Sequence, residues 1–300
     1  MAAFTFTNAS IMSRINYQLR PSPPTGVVEV LQTAGVSPLL AYLYAVRGVA
    51  RVTELSHDLM DLPDPDLLRG QTQAVEQLQT AIAHRALIVV VADYDADGAT
   101  ACAVAVRGLQ ALGAVVDFIV PDRRTQGYGL TPALVETILV RFPQVAYLLT
   151  VDNGMSAHAG IQAAHDANLR VIVTDHHLPA ATLPPADALV NPNQGHCLFP
   201  GKALAGVGVM FYVLLALRRR LRQLGQPDPI FNFTDLLPLV ALGTIADVAR
   251  LDDSVNRILV TQGLLRWRRG QMLAGVHALT AIAQREAAHL TCADIGFAIA

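Results

Sequence analysis

The stretch VVVADYDADGATA, Val89 to Ala101, places Asp93, Asp95 and Asp97 at alternate positions directly after an apolar run. Like charges so close repel one another. A chain gathers them where a cation sits or where the loop is fully solvated. Three more motifs carry similar groups: TVDNG with Asp152, VTDHH with Asp175, His176 and His177, and GTIADVA with Asp247. Carboxylates with one or two imidazoles, and no thiolate nearby, suit the hard cations Mn²⁺ or Mg²⁺. Two such ions ~3.5–4 Å apart need about this many acids, one of them bridging, and together they activate a water and stabilise the leaving oxygen of a phosphodiester. Each motif alone also has a plain reading. DYDADG fits a solvated loop, DNG a turn, and DHH a capped strand end.

The elements that would position these groups follow from the pattern. ALIVVVA, VVDFIVP, VAYLLTV, RVIVT and DALVN read as strands. GATACAVAVRGLQALGA, TPALVETILVRF and SAHAGIQAAHDANL read as the helices between them, with Thr131 as an N-cap and Pro132 at the first helical position. Strands alternating with helices predict an α/β fold, a Rossmann-like and mainly parallel sheet flanked by helices. Apolar strands without polar alternation predict a sheet covered on both faces. In such sheets ligands bind at the carboxyl ends of the strands. The acid and histidine motifs follow three different strands and so converge on one edge. Asp247 falls in an otherwise apolar helix, where a lone acid is costly to bury without a cation or a donor.

Composition sets the bounds. The chain has 300 residues, 52% hydrophobic and 15% charged, with net charge -2. It can bury a large core, and the composition argues against disorder. Its charge gives no global pull toward nucleic acid, so any such binding needs a local groove. Cys102, Cys197 and Cys292 lie far apart and form no CxxC pair, which fits reduced thiols in a cytoplasmic protein. The N-terminal MAAFTFTNASIMSRINYQLRP lacks the pattern of a secretory signal. The longest apolar run, Ala203 to Leu217, falls short of the ~18–20 residues a span needs, so no membrane role is expected. RRRLR after it reads as a solvated basic face.

DYDADGATA, VDNG, VTDHH and GTIADV resemble, in order and spacing, the motifs of the DHH phosphoesterase superfamily. VPDRRTQGYGL, LAGVGVMF and LPLVALGTIADV are similar to its RecJ family of bacterial single-strand-specific exonucleases. The resemblance implies a two-metal core that hydrolyses single-stranded DNA from the 5′ end to 5′-mononucleotides, in repair and recombination. A single-strand-binding protein and a helicase are the partners it suggests. Carried over, Asp95 and Asp97 would each hold one ion, and Asp152 would bridge. His176 and Asp247 would complete the second site. His177 would orient the scissile phosphate or leaving group, and Asp175 would brace the loop or a histidine. Related phosphoesterases have a histidine where this chain has Val91, which leaves Asp93 or water to fill in. The alternatives are a relative acting on short oligonucleotides, cyclic dinucleotides or pyrophosphate, and a non-catalytic scaffold.

Substrate contacts are expected from Arg123, Arg124 and Tyr128 in PDRRTQGYGL, a segment that also fits a polar turn. Lys202 in GKALAGVG precedes a helix start whose amides can meet a phosphate, and the glycines equally fit helix packing. The expected organisation is a mostly helical region over 1–85, a phosphoesterase domain over 86–249, and a helical connector over 250–300. That connector would lead toward a further domain beyond this sequence, without which the chain is expected to degrade DNA weakly.

Overall fold

Five short apolar runs become the five parallel strands of one sheet. The computed structural model describes residues 21–300, so the reading of the first twenty lies outside the described residues. The strands are β1 (Leu87–Ala92), β2 (Val115–Ile119), β3 (Val145–Val151), β4 (Arg170–Thr174) and β5 (Ala188–Val190), in the order β2-β1-β3-β4-β5. Every neighbouring pair is parallel. The helices, numbered in chain order, are α1 (Val27–Thr33), α2 (Pro38–Val46), α3 (Gln71–Ala83), α4 (Ala96–Ala111), α5 (Pro132–Arg141), α6 (His158–Asp166), α7 (Gly206–Gln223), α8 (Leu237–Ala246), α9 (Ser254–Arg268) and α10 (Ala274–Ile282).

Strand alternation splits the core in two. Ile88, Val90 and Ala92 of β1 join one cluster with residues of α3, α4, α7, α8 and α9. Val89 and Val91 join the other with α5 and α6. The edge strand β2 departs from the two-sided burial expected of it. Val115 and Phe118 are 39% and 46% exposed, because among the described residues no strand pairs beyond the edge and α4 covers the strand from one side only. Thr131 caps α5 through the Leu134 amide, as the sequence suggests.

By packing, the chain divides into two compact units after Glu54. The first unit holds α1 and α2, packed on one another. In the second, α3 lies against α7 and β5, so residues 55–85 belong with the sheet. Residues 250–300 are helical over α9 and α10. α9 packs along α8, and Trp267 is fully buried with its indole donating to Thr280 at 2.9 Å. Among the described residues no helix is long and apolar enough to cross a membrane.

Strand order sets where a ligand can sit. The chain reverses direction between β1 and β3, and such a switch point opens a crevice at the strands' carboxyl ends. The β2–α5 connection, residues 120–131, comes back to that crevice.

Candidate metal centre

At the switch point each acid is placed by a different device. Asp95 caps α4, accepting from the Gly98 amide at 2.8 Å. Asp97, in the first turn of α4, is buried and accepts from the Gly206 and Val207 amides at 2.7 and 2.9 Å. The amides at the start of α7, read as a phosphate site, are therefore taken by a carboxylate of this chain. Asp93 accepts from the Tyr94 amide at 2.7 Å. Asp152 follows β3 with φ 62, and its backbone N–H donates to Thr174 of β4. Glycine is required opposite it, since a Cβ on Gly206 would lie 2.6 Å from the Asp152 Cβ.

Asp247 is the C-cap of α8 rather than an interior residue, and its side chain keeps 28% exposure. α8 approaches α4 closely at Gly243, where a Cβ would meet Asp97 Oδ1 at 2.8 Å. The next residue, Val248, has φ 56 and is 85% exposed. A β-branched residue there is strained.

The DHH segment after β4 is held from within. Asp175 Oδ1 accepts from the His176 amide at 2.7 Å and the His177 amide at 3.0 Å, and lies 2.7 Å from His177 Nδ1. Its Oδ2 accepts from the Met155 amide at 2.9 Å. Burial works against the charge of Asp175, but these hydrogen bonds hold its pKa below the ordinary carboxylate value. The Asp175 contact raises His177 to about 9.

Among the described residues three groups of possible ligands result: Asp93 with Asp95 and Asp152, Asp97 with His176 and Asp247, and Asp152 with His176 and His177. Within each, ligand atoms lie within 4.8 Å of one another. Asp152 and His176 each serve two groups. His176 Nε2 lies 3.1 Å from Asp152 Oδ1 and 3.9 Å from Asp97 Oδ2, and its Nδ1 is 4.0 Å from Asp247 Oδ2. Asp152 Oδ1 and His176 Nε2 are both buried without a hydrogen-bond partner. Two orphaned atoms facing one another among acids are what a shared cation would satisfy.

Electrostatics agree. Burial, then the charges of Asp95 and Asp175, push Asp152 up to about 9. Burial, then Asp152, raises Asp97 well above the usual range. Burial likewise raises Asp93 and Asp247. The chain supplies too little positive charge for its own acids.

Other expected residues fare differently. Arg123 lies over the Tyr94 ring, 5.2 Å from its centroid, while Arg124 lies 3.6 Å from Asp122. Tyr128 packs edge-on against Tyr94 and His177, at centroid distances of 6.2 and 6.3 Å. Together with Met155, Ser156 and Leu178 these rings line a cleft beside Asp93 and Asp95. Lys202 is not among the gathered groups. Its Nζ donates to the Pro192 and Cys197 carbonyls at 2.7 and 2.8 Å and so closes a loop. The sequence reading missed Tyr94, whose place between two acids was the available signal. It also missed Asn153, which donates to the Val91 and Val151 carbonyls and ties the ends of β1 and β3.

The profile of the DHH family, N-terminal domain, matches residues 87–244, which hold the sheet and every candidate ligand except Asp247. The chain belongs to the DHH family. It is 48% identical over 268 residues to the single-stranded-DNA-specific exonuclease RecJ of Dickeya dadantii (strain 3937), covering 87% of this chain and 46% of that protein. The RecJ of Escherichia coli (strain K12) is 47% identical over 271 residues, with 89% and 46% covered. A crystal structure of RecJ bound to manganese superimposes with TM-score 0.66 at 37% identity, covering 77% of this chain and 56% of that one. The RecJ of Thermus thermophilus in complex with Mn²⁺ gives 0.69 at 32% identity, covering 93% and 38%. This DHH chain thus spans about half the length of the curated relatives it matches.

Proposed function

We propose that this chain is the catalytic part of a metal-dependent exonuclease that degrades single-stranded DNA from the 5′ end to 5′-mononucleotides. The observation that carries the reading is the pair of orphaned, buried atoms on Asp152 and His176, each shared between two ligand groups. The likeness to RecJ supports the substrate. We assign one ion to Asp93, Asp95 and Asp152, and a second to Asp97, His176, Asp247 and the shared Asp152. Bound there, two Mn²⁺ or Mg²⁺ ions would supply a water of lowered pKa and charge to stabilise a leaving oxygen.

The chain's own groups do the rest. Asp175 takes the Nδ1 side of His177, which leaves Nε2 as the free ring nitrogen and favours the cation. A cationic imidazole there suits a phosphodiester oxygen. Arg123 has no carboxylate partner among the described residues and is the phosphate contact we favour, with Arg124 behind it. Tyr94 and Tyr128 offer faces for an unpaired base. The cytoplasm is the expected setting, with a single-strand-binding protein and a helicase as partners.

The test is digestion of a 5′-phosphorylated single strand with Mn²⁺, beside a duplex, a dinucleotide and pyrophosphate. Mononucleotides released from the single strand alone support the reading. Cleavage confined to the dinucleotide or to pyrophosphate would replace it with a small-substrate phosphoesterase. Mn²⁺ binding without any cleavage would favour the scaffold.

A further inference from the structure

We infer that Asn191 and Asn193, on the loop after β5, are positioning residues for His176 and His177. The inference rests on the two-ion reading proposed for this site, in which His176 holds an ion and His177 meets the phosphate.

Both histidines follow β4 and lie outside any strand or helix, so no ladder fixes their peptide groups. Main-chain polar groups in such a stretch need other partners. Here all four have one. The amides of His176 and His177 donate to Asp175 Oδ1. The His176 carbonyl accepts from Asn193 Nδ2 at 2.6 Å, and the His177 carbonyl from Asn191 Nδ2 at 2.9 Å. An acid beside the pair thus takes its donors, and two side-chain amides from another loop supply its acceptors. A dipeptide tied on both sides keeps its peptide planes fixed, and each imidazole leaves the main chain in one direction. Aspartate at 191 or 193 has the same shape but would aim oxygen at oxygen.

The loop is itself braced for this task. The Asp175 amide donates to the Val190 carbonyl at 3.1 Å, so β5 runs beside the start of the histidine segment. Asn191 is fully buried, and its Oδ1 accepts from the Asn193 amide at 2.7 Å. The first asparagine therefore aims the second. Gln194 Nε2 donates to the Leu189 and Arg69 carbonyls at 2.9 and 3.1 Å. Lys202 donates to the carbonyl of Pro192, the residue between the two asparagines. Its ammonium thus acts on the site through the loop.

Outer groups that orient a metal ligand typically matter 10- to 100-fold in metal affinity. Asn193→Ala removes the donor to the His176 carbonyl and keeps the main-chain turn. Mn²⁺ titration calorimetry on the full chain reads the effect, with thermal melting in chelator as the fold control. We expect one of two bound Mn²⁺ to weaken about tenfold while the other, on Asp93, Asp95 and Asp152, keeps its affinity. Asn191→Ala frees both carbonyls. It should weaken the same ion and also lower the binding of a short oligothymidylate at saturating Mn²⁺. If Asn193→Ala does not fold in chelator, Asn193→Ser, whose hydroxyl is too short to reach, carries the same expectation. Unchanged Mn²⁺ affinity in the folded variant, or equal weakening of both ions, would overturn this inference alone, since a merely structural asparagine gives one or the other. Binding of fewer than two Mn²⁺ by the unaltered chain would overturn the two-ion reading and this inference with it.

Discussion

The two ends of one sheet treat aspartate in opposite ways. At the amino ends, Asp187 accepts from Arg170 at 2.6 Å and from the Val171 amide at 2.7 Å, and lies 3.1 Å from His165 Nε2. Burial opposes its charge, but these partners hold its pKa below the ordinary value. At the carboxyl ends, Asp152 is buried without a donor on Oδ1 and is pushed up to about 9. Asp187 is finished by the chain, and Asp152 is left for something from outside. A further contrast runs within the cluster. Asp97 and Asp175 are clamped by backbone amides, whereas Asp152 and Asp247 are set by left-handed turns, at Asp152 itself and at Val248.

The largest effect expected from this contrast is on activity. Asp152→Asn should lower single-strand hydrolysis by well over the ~100-fold that a supporting residue gives. Melting in chelator should be unchanged or higher, since the substitution removes a carboxylate whose charge the site disfavours. Near-normal turnover by the folded variant would break the comparison. Gly206→Ala is next. Its Cβ would press on Asp152 and disturb the amide that Asp97 accepts. We expect weaker Mn²⁺ binding and a stability loss of about 1–3 kcal/mol, measured by calorimetry and urea titration.

The pH dependence sharpens the same contrast. The native state holds the Asp152 proton up to about 9, whereas the unfolded chain releases it near ~4. Between those values the native state binds more protons, so stability should fall as pH rises. His177, raised to about 9, acts in the same direction above its unfolded value near ~6.5. Asp187 has the opposite sign. Its stabilisation is present above ~4 and is lost as pH falls through its lowered native value. Melting in chelator across pH 5 to 9 should therefore decline, more gently in Asp152→Asn. In Asp187→Asn that decline should persist, while stability at pH 7 drops by about 1–3 kcal/mol and Mn²⁺ affinity stays unchanged. A loss of Mn²⁺ binding in Asp187→Asn would show that the two ends are not independent.

Much of this was legible in the sequence, for identifiable reasons. Strands buried on both faces leave unbroken apolar runs, so β1, β3 and β4 could be read directly. Acids just after such runs fall at one edge, so the cluster could be read too. Distant pairings could not. That Asp97 would take the first amides of α7 depends on a contact across 109 residues. That Lys202 would close a loop depends on where two carbonyls end up. That α3 would join the sheet depends on packing that its own pattern does not announce. Tyr94 and Asn153 sat inside motifs already noticed and were passed over for their charged neighbours.

The smallest effect expected concerns the basic run after the apolar helix, which the sequence offered as a solvated face. It is a solvated face whose side chains are also paired. Arg218 and Arg222 both reach Asp228, at 3.0 and 3.4 Å, and Arg220 donates to Gln79. Arg219 donates to Asp64 at 2.9 Å and pairs with Asp66. These acids resemble Asp187 rather than Asp152, since each charge already has an opposite partner within the chain. Their side chains are half-exposed, so solvent screens the pairs, and each contributes little. Arg219→Gln should therefore change stability by no more than about 1 kcal/mol. It should leave the affinity for a fluorescent oligothymidylate, read by anisotropy, within error of the unaltered chain. Loss of a phosphate contact would instead weaken binding and flatten its dependence on salt. That result would put the run on the path of the strand and extend the binding surface beyond the crevice at β1 and β3.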